Sequence, residues 1–117
     1  MIVQWIMKYM ESKKFAWSNN TLRSEGYRLN GIAKHLHDGV TFREPSELWL
    51  AIEYQKPYTR QTTWTRSSEF YQYLIDNKIV EGINVYKKWR EDNARNFKNV
   101  YQKHKPDITF EDARSRI

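Results

Sequence analysis

The sequence predicts an all-α protein, a compact bundle of four to five helices. Three observations lead there. The chain has 117 residues, enough for one domain with a modest core. It has only four glycines and three prolines, too few for the turns of a many-stranded sheet. Its apolar residues recur at helical spacing along most of its length. Five tryptophans, eight tyrosines and five phenylalanines supply bulk that fills a small core quickly.

Ile2, Trp5, Ile6, Tyr9 and Met10 repeat every three to four residues and predict a first helix over about 2–13. It ends at Lys13 and Lys14, whose charges suit a helix C-terminus. Ser18, Asn19 and Asn20 offer capping oxygens for a second helix. Leu22, Gly26, Leu29, Ala33 and Leu36 form its apolar stripe, which runs to about His37. The run His37 to Thr41 is a turn, with Gly39 as its left-handed residue. Pro45 suits the first turn of a short third helix carrying Leu48, Trp49 and Ile52, and Pro57 breaks it.

The fourth helix spans Lys56 to Asn77 and is the most informative segment. Trp64, Ser67, Tyr71, Leu74 and Ile75 fall on one stripe that faces a core. Thr59, Thr62, Thr63 and Arg66 fall on the opposite side, near the helix start. Hydroxyls and a guanidinium placed there, just after Lys56, suit phosphate oxygens and base edges. Ile79, Val80 and Gly82 link to a fifth helix over about 85–103, with apolar positions Tyr86, Trp89, Phe97, Val100 and Tyr101.

The chain's net charge is +6. A polyanionic partner and an ordinary soluble basic surface both fit that charge. Around the fourth helix no acidic residue appears between Glu53 and Glu69, which favours nucleic acid. Along the fifth, Glu91 and Asp92 dilute the lysines, so part of that row is a salt-bridged surface. With no cysteine, disulfide scaffolds and thiolate metal sites are excluded, which fits a reducing cytoplasm. The apolar opening, Met1 to Met10, is too short to span a bilayer and lacks the features of a signal peptide, so no membrane partner is expected.

Catalytic or metal chemistry finds no footing. His35 and His37 are two apart and point to different sides of a helix, and His104 is distant; solvent or cap positions account for them. Glu91-Asp92 and Glu111-Asp112 are adjacent pairs that do not face each other on a helix. No phosphate-binding loop, dinucleotide fingerprint or nucleophile elbow is present, so no cofactor, metal or catalytic residue is assigned. Thr109-Phe110-Glu111-Asp112 reads as a capping box, with Phe110, Ala113 and Ile117 on one face of the helix it opens. That start is expected to continue into a further domain; a short terminal helix docked on the bundle is the alternative.

Several motifs, in order, resemble one family. They are T-L-R-S-E-x-x-R-L (Thr21 to Leu29), K-P-Y-T-R-x-T-x-x-x-R (Lys56 to Arg66), F-Y-x-Y-L (Phe70 to Leu74), N-x-Y (Asn84 to Tyr86), N-A-R-x-F-K-N-x-Y (Asn93 to Tyr101) and I-T-F-E-D-A (Ile108 to Ala113). Together they resemble the N-terminal, SAM-like core-binding domain of phage integrases of the tyrosine recombinase family. The resemblance implies a helical bundle forming half of a C-shaped clamp on the recombination site, with the second and fourth helices against the major groove. On that basis residues 1–105 are the DNA-binding domain, and 106–117 a linker and the start of a catalytic domain that this chain lacks. Asn20 and Arg23 on the second helix become candidate contacts with double-stranded DNA. So do Thr59, Arg60, Thr62, Thr63 and Arg66 on the fourth, with Lys14 and Lys56 at the edges; Arg60 sits nearest the core stripe. Further recombinase protomers are implied as partners only through the full-length protein. Asn84-Val85-Tyr86 departs from the Asn-Pro-Tyr that relatives often carry, leaving the fifth helix less firmly started. A helical adaptor that binds protein rather than DNA is the alternative function.

Overall fold

Helical periodicity is realised as five α-helices in the computed structural model, which describes residues 2–97. They are α1 (Ile2–Ser12), α2 (Asn19–Leu36), α3 (Pro45–Ile52), α4 (Pro57–Asp76) and α5 (Val85–Asp92). The fold is all-α; among the described residues the sole extended pairing is an isolated antiparallel bridge between His37 and Phe42.

Local chemistry sets each boundary. Ser18 caps α2 by accepting the Thr21 N–H at 3.2 Å. Asn84 caps α5 in the same way through the Lys87 N–H at 3.1 Å, so the helix start is fixed without the proline of Asn-Pro-Tyr. Pro45 and Pro57 occupy the first turns of α3 and α4. The turn after α2 is closed by Asp38, whose Oδ1 accepts the Val40 and Thr41 N–H groups, both at 2.8 Å. Those two bonds hold the Asp38 carboxyl below its usual pKa. Gly39 has φ 103°, the left-handed conformation expected of it.

The α4 terminus uses a less usual residue. The Ile79 N–H reaches back to Leu74 O at 2.9 Å and the Lys78 N–H to Ile75 O at 3.0 Å, a Schellman closure with Lys78 in the left-handed position at φ 61°. A side chain is disfavoured there, so Lys78→Gly is expected to stabilise the domain by about 1 kcal/mol and raise the melting temperature by roughly 5 °C. A melting temperature at or below the parent's in a thermal scan would contradict this account of the turn.

Helix α4 is the hub, packing on α1, α2 and α5, while α2 also contacts α1 and α3. Its buried side is Thr63, Trp64, Ser67, Phe70, Tyr71 and Leu74. Trp64 is fully buried and lies with Trp49, Tyr86, Trp89 and Phe97 at centroid separations of 4.9–6.1 Å. That aromatic cluster joins α3, α4 and α5. The Trp64 indole N–H donates to Tyr86 O at 2.9 Å, and the Tyr86 hydroxyl donates to Arg43 O at 3.1 Å. Burial pushes the Tyr86 phenol well above its usual pKa. On the other side of α4, Tyr9 of α1 meets Phe70 at 5.5 Å and Tyr73 at 5.3 Å.

Two expectations need correction. The fifth helix does not run unbroken from Val85 to Lys103: it stops at Asp92, where both the Asn93 backbone N–H and its side-chain amide turn back onto Trp89 O, each at 2.9 Å. A helical turn resumes at 95–97, bringing Phe97 into the core; Val100, Tyr101 and Lys103 lie outside the described residues. His37 does occupy the cap position of α2, but it is buried rather than solvated. Its ring meets Phe42 at 4.9 Å and Trp5 at 5.6 Å, both edge-on. His104 and the capping box at 109–112 lie outside the described residues.

Candidate nucleic-acid interface

Helices α2 and α4 pack in opposite directions: Glu25 meets Arg66, and one turn further on Arg28 meets Thr63. This crossing decides which candidate residues remain available to a partner. Thr63 is 1 % exposed, so the expectation that it faces away from the core is overturned. Its row on α4 borders the Trp64 stripe, and α2 lies over it. The Thr63 hydroxyl accepts from Arg28 Nη1 at 3.2 Å and donates to Gln55 Oε1 at 3.3 Å.

Arg66 is drawn into the same junction. Its Nε donates to Glu25 Oε1 at 2.9 Å, Nη1 pairs with Glu69, and the guanidinium stacks 4.5 Å from the Trp17 ring centroid. Glu25 Oε1 also accepts Arg28 Nε at 3.1 Å. Burial opposes the Arg66 charge, but the Glu25 hydrogen bond and the nearby Tyr9, Glu69 and Glu25 groups outweigh it, raising its pKa. The cationic stretch unbroken in sequence is therefore interrupted in space by Glu25, a carboxylate contributed by α2.

The other candidates divide by exposure. Asn20 and Arg23 are exposed on the first turns of α2, with Arg23 Nη1 at 3.4 Å from Asn20 Oδ1. Lys56 is exposed at the α4 cap, and Thr59 is half-buried one turn along. The Thr62 hydroxyl donates to its own helix at Tyr58 O, 2.9 Å away, leaving its oxygen as an acceptor. Arg60 turns toward the core side as expected: its guanidinium sits 5.1 Å from the Trp49 ring centroid, and Nη1 donates to Glu53 O at 3.1 Å. Lys14 is exposed, paired with Glu11, and lines a separate groove between α1 and α2 with Leu22 and Asn30.

Between α2 and the turn that leads into α4 lies a shallow groove of about 340 Å³, lined by Ser24, Tyr27, Arg28 and Gly31 of α2, by Tyr54 and Gln55 of the turn and by Thr63 of α4. Sequence reasoning missed its aromatic rim, Tyr27 and Tyr54, and the exposed Tyr58 nearby. All three occupy polar positions off the apolar stripes, a pattern visible in the sequence. It also missed Glu25, three residues after Leu22 and four before Leu29, which places a carboxylate beside the α2 stripe. Among the described residues no cluster of His, Asp or Glu could hold a metal, and no helix is long and apolar enough to cross a membrane.

Compared with protein-family models, curated proteins and solved structures, the chain matches none of them.

Proposed function

We propose that this chain is a non-catalytic module that holds double-stranded DNA across the outer faces of α2 and α4, serving as the core-binding domain of a site-specific tyrosine recombinase. One observation carries the reading: Arg23 on the first turns of α2 and Lys56 at the start of α4 are exposed cations without carboxylate partners among the described residues. Arg23 and Lys56 supply phosphate contacts, Asn20, Thr59 and Thr62 supply hydrogen-bonding groups, and Thr63 and Arg66 hold the helices at their crossing angle. The exposed tyrosines offer flat surfaces to sugars or bases. Strand cleavage belongs to the catalytic domain that the family resemblance implies, and other protomers would join through that full-length protein.

Binding to a duplex should weaken steeply with salt. Replacing both Arg23 and Lys56 with alanine is expected to lower affinity about ten-fold and to reduce the salt slope by about two, one for each lost phosphate contact. Fluorescence anisotropy across a salt series reads both quantities. Parent-like affinity in the double variant would remove the α2/α4 face from the interface. The exposed Tyr27, Tyr54 and Tyr58 favour one second reading, a protein-binding adaptor, since tyrosine is enriched where proteins meet. A partner protein bound with little salt dependence, and no affinity for duplex DNA, is its signature.

A further inference from the structure

A second groove, about 460 Å³, lies between α4 and α5; much of its surface is side-chain carbon, but its lining includes Thr65 and Ser68 on α4 and Lys87 and Arg90 on α5. Each pair is spaced by three residues, so both hydroxyls share one helix face and both cations another. We propose that this groove binds a phosphate group. Thr65 follows Thr62 by one turn, so the groove adjoins the α2/α4 face, but Ser68 lies on a different flank of α4 from Thr59 and Thr63, and the cations stand on α5, so the site does not depend on the reading of that face.

The charge in the groove is uncommitted. Lys87 is exposed, and no carboxylate among the described residues pairs with it, whereas its neighbour Lys88 holds Asp92 at 3.2 Å. Glu69 is the one carboxylate in the lining, and Arg66 already engages it. Arg90 rests on the Phe97 ring at 4.7 Å, which fixes its plane. Its Nε is shielded from solvent without an acceptor among the described residues. Arg90 is half-buried and lines the groove through its other atoms, so its charge attracts an oxyanion there without contact at Nε.

Asn84 fixes the geometry of the two walls. Its amide donates to Ser68 O at 2.9 Å and Gln72 Oε1 at 3.3 Å, clamping the start of α5 to α4. Its Oδ1 caps the Lys87 N–H, so the attraction for an anion comes from side chains rather than from the helix start. Two cations and two hydroxyls surrounding one space suit a tetrahedral oxyanion, which accepts from several directions at once. The volume leaves room for what the phosphate is attached to: a free phosphate ester, or the backbone of a nucleic acid.

The test is an NMR titration of the full chain with sodium pyrophosphate against sodium chloride at matched ionic strength. Pyrophosphate is expected to shift the Thr65, Ser68 and Lys87 amides and the Arg90 Nε–H signal. Lys87→Ala, at an exposed position that cannot unfold the domain, should weaken this binding about ten-fold, and Ser68→Ala should weaken it less. The Arg23→Ala, Lys56→Ala double variant should bind pyrophosphate like the parent, whatever it does to duplex DNA. A parallel titration with a short duplex identifies the source: movement of the same groove signals assigns a backbone phosphate, and movement with pyrophosphate alone assigns a free ester. Groove signals unmoved by pyrophosphate, or parent-like binding by Lys87→Ala, would overturn the proposal.

Discussion

Replacing Trp64 with alanine is expected to destabilise the domain by about 4 kcal/mol, a large share of what a domain this size possesses. Trp64 is fully buried, and its ring is the element common to α3, α4 and α5, through Trp49, Tyr86, Trp89 and Phe97. Alanine leaves a cavity bounded by rigid rings, which collapse poorly onto the space, and it removes the donor to Tyr86 O. The melting temperature should fall by roughly 15–30 °C in a far-ultraviolet circular dichroism scan. Trp64→Phe keeps most of the volume and loses the indole N–H, so its cost should be about 1–2 kcal/mol. An alanine variant melting within about 5 °C of the parent would show that the three helices are held together by something else.

Glu25→Ala should be nearly as damaging, at about 3 kcal/mol, although it removes a charged residue from a basic protein. The side chains of Glu25, Arg28 and Arg66 are 10 %, 25 % and 17 % exposed, too sheltered for the small energies of surface pairs. Deleting the carboxylate leaves two sheltered guanidinium groups facing each other with their shared acceptor gone. Arg66→Ala alone also loses the stacking on Trp17. In the double variant Glu25→Ala, Arg66→Ala the losses should be less than additive, because one unpaired cation disappears with its partner. Urea unfolding of the four proteins in that cycle reads the coupling; strict additivity would deny that the residues act as a unit. Arg66→Ala and Thr63→Ala are consequently poor probes of DNA binding, since each disturbs the α2/α4 crossing itself.

The helices were legible because their signals are local. Pro45, Pro57, Ser18 and Gly39 act within a turn of where they stand, and the stripes of α1 and α3 bury as their periodicity predicts. The interruption of α5 was not legible, because Asn93 fits a helix surface as readily as a cap and only its turn back onto Trp89 O decides between them. The site was read less fully for a related reason. Periodicity ranks the faces of one helix but does not say how wide a band a neighbouring helix covers. Thr63 and Arg66 fall within the band of α4 that α2 covers, while Lys56 at the α4 cap falls outside it, and Asn20 and Arg23 stay exposed on α2 itself. Glu25 lies 41 residues from Arg66 in sequence, and their pairing exists only once α2 and α4 cross.

The shared carboxylate at that crossing has a practical corollary for ionic strength. Screening acts strongly between exposed charges and weakly between sheltered ones. Added salt should therefore act on the free cations at the rim and leave the Arg28–Glu25–Arg66 bridge in place. Raising it should release a bound polyanion long before the helices loosen, so the bare domain can be recovered folded by a salt wash alone.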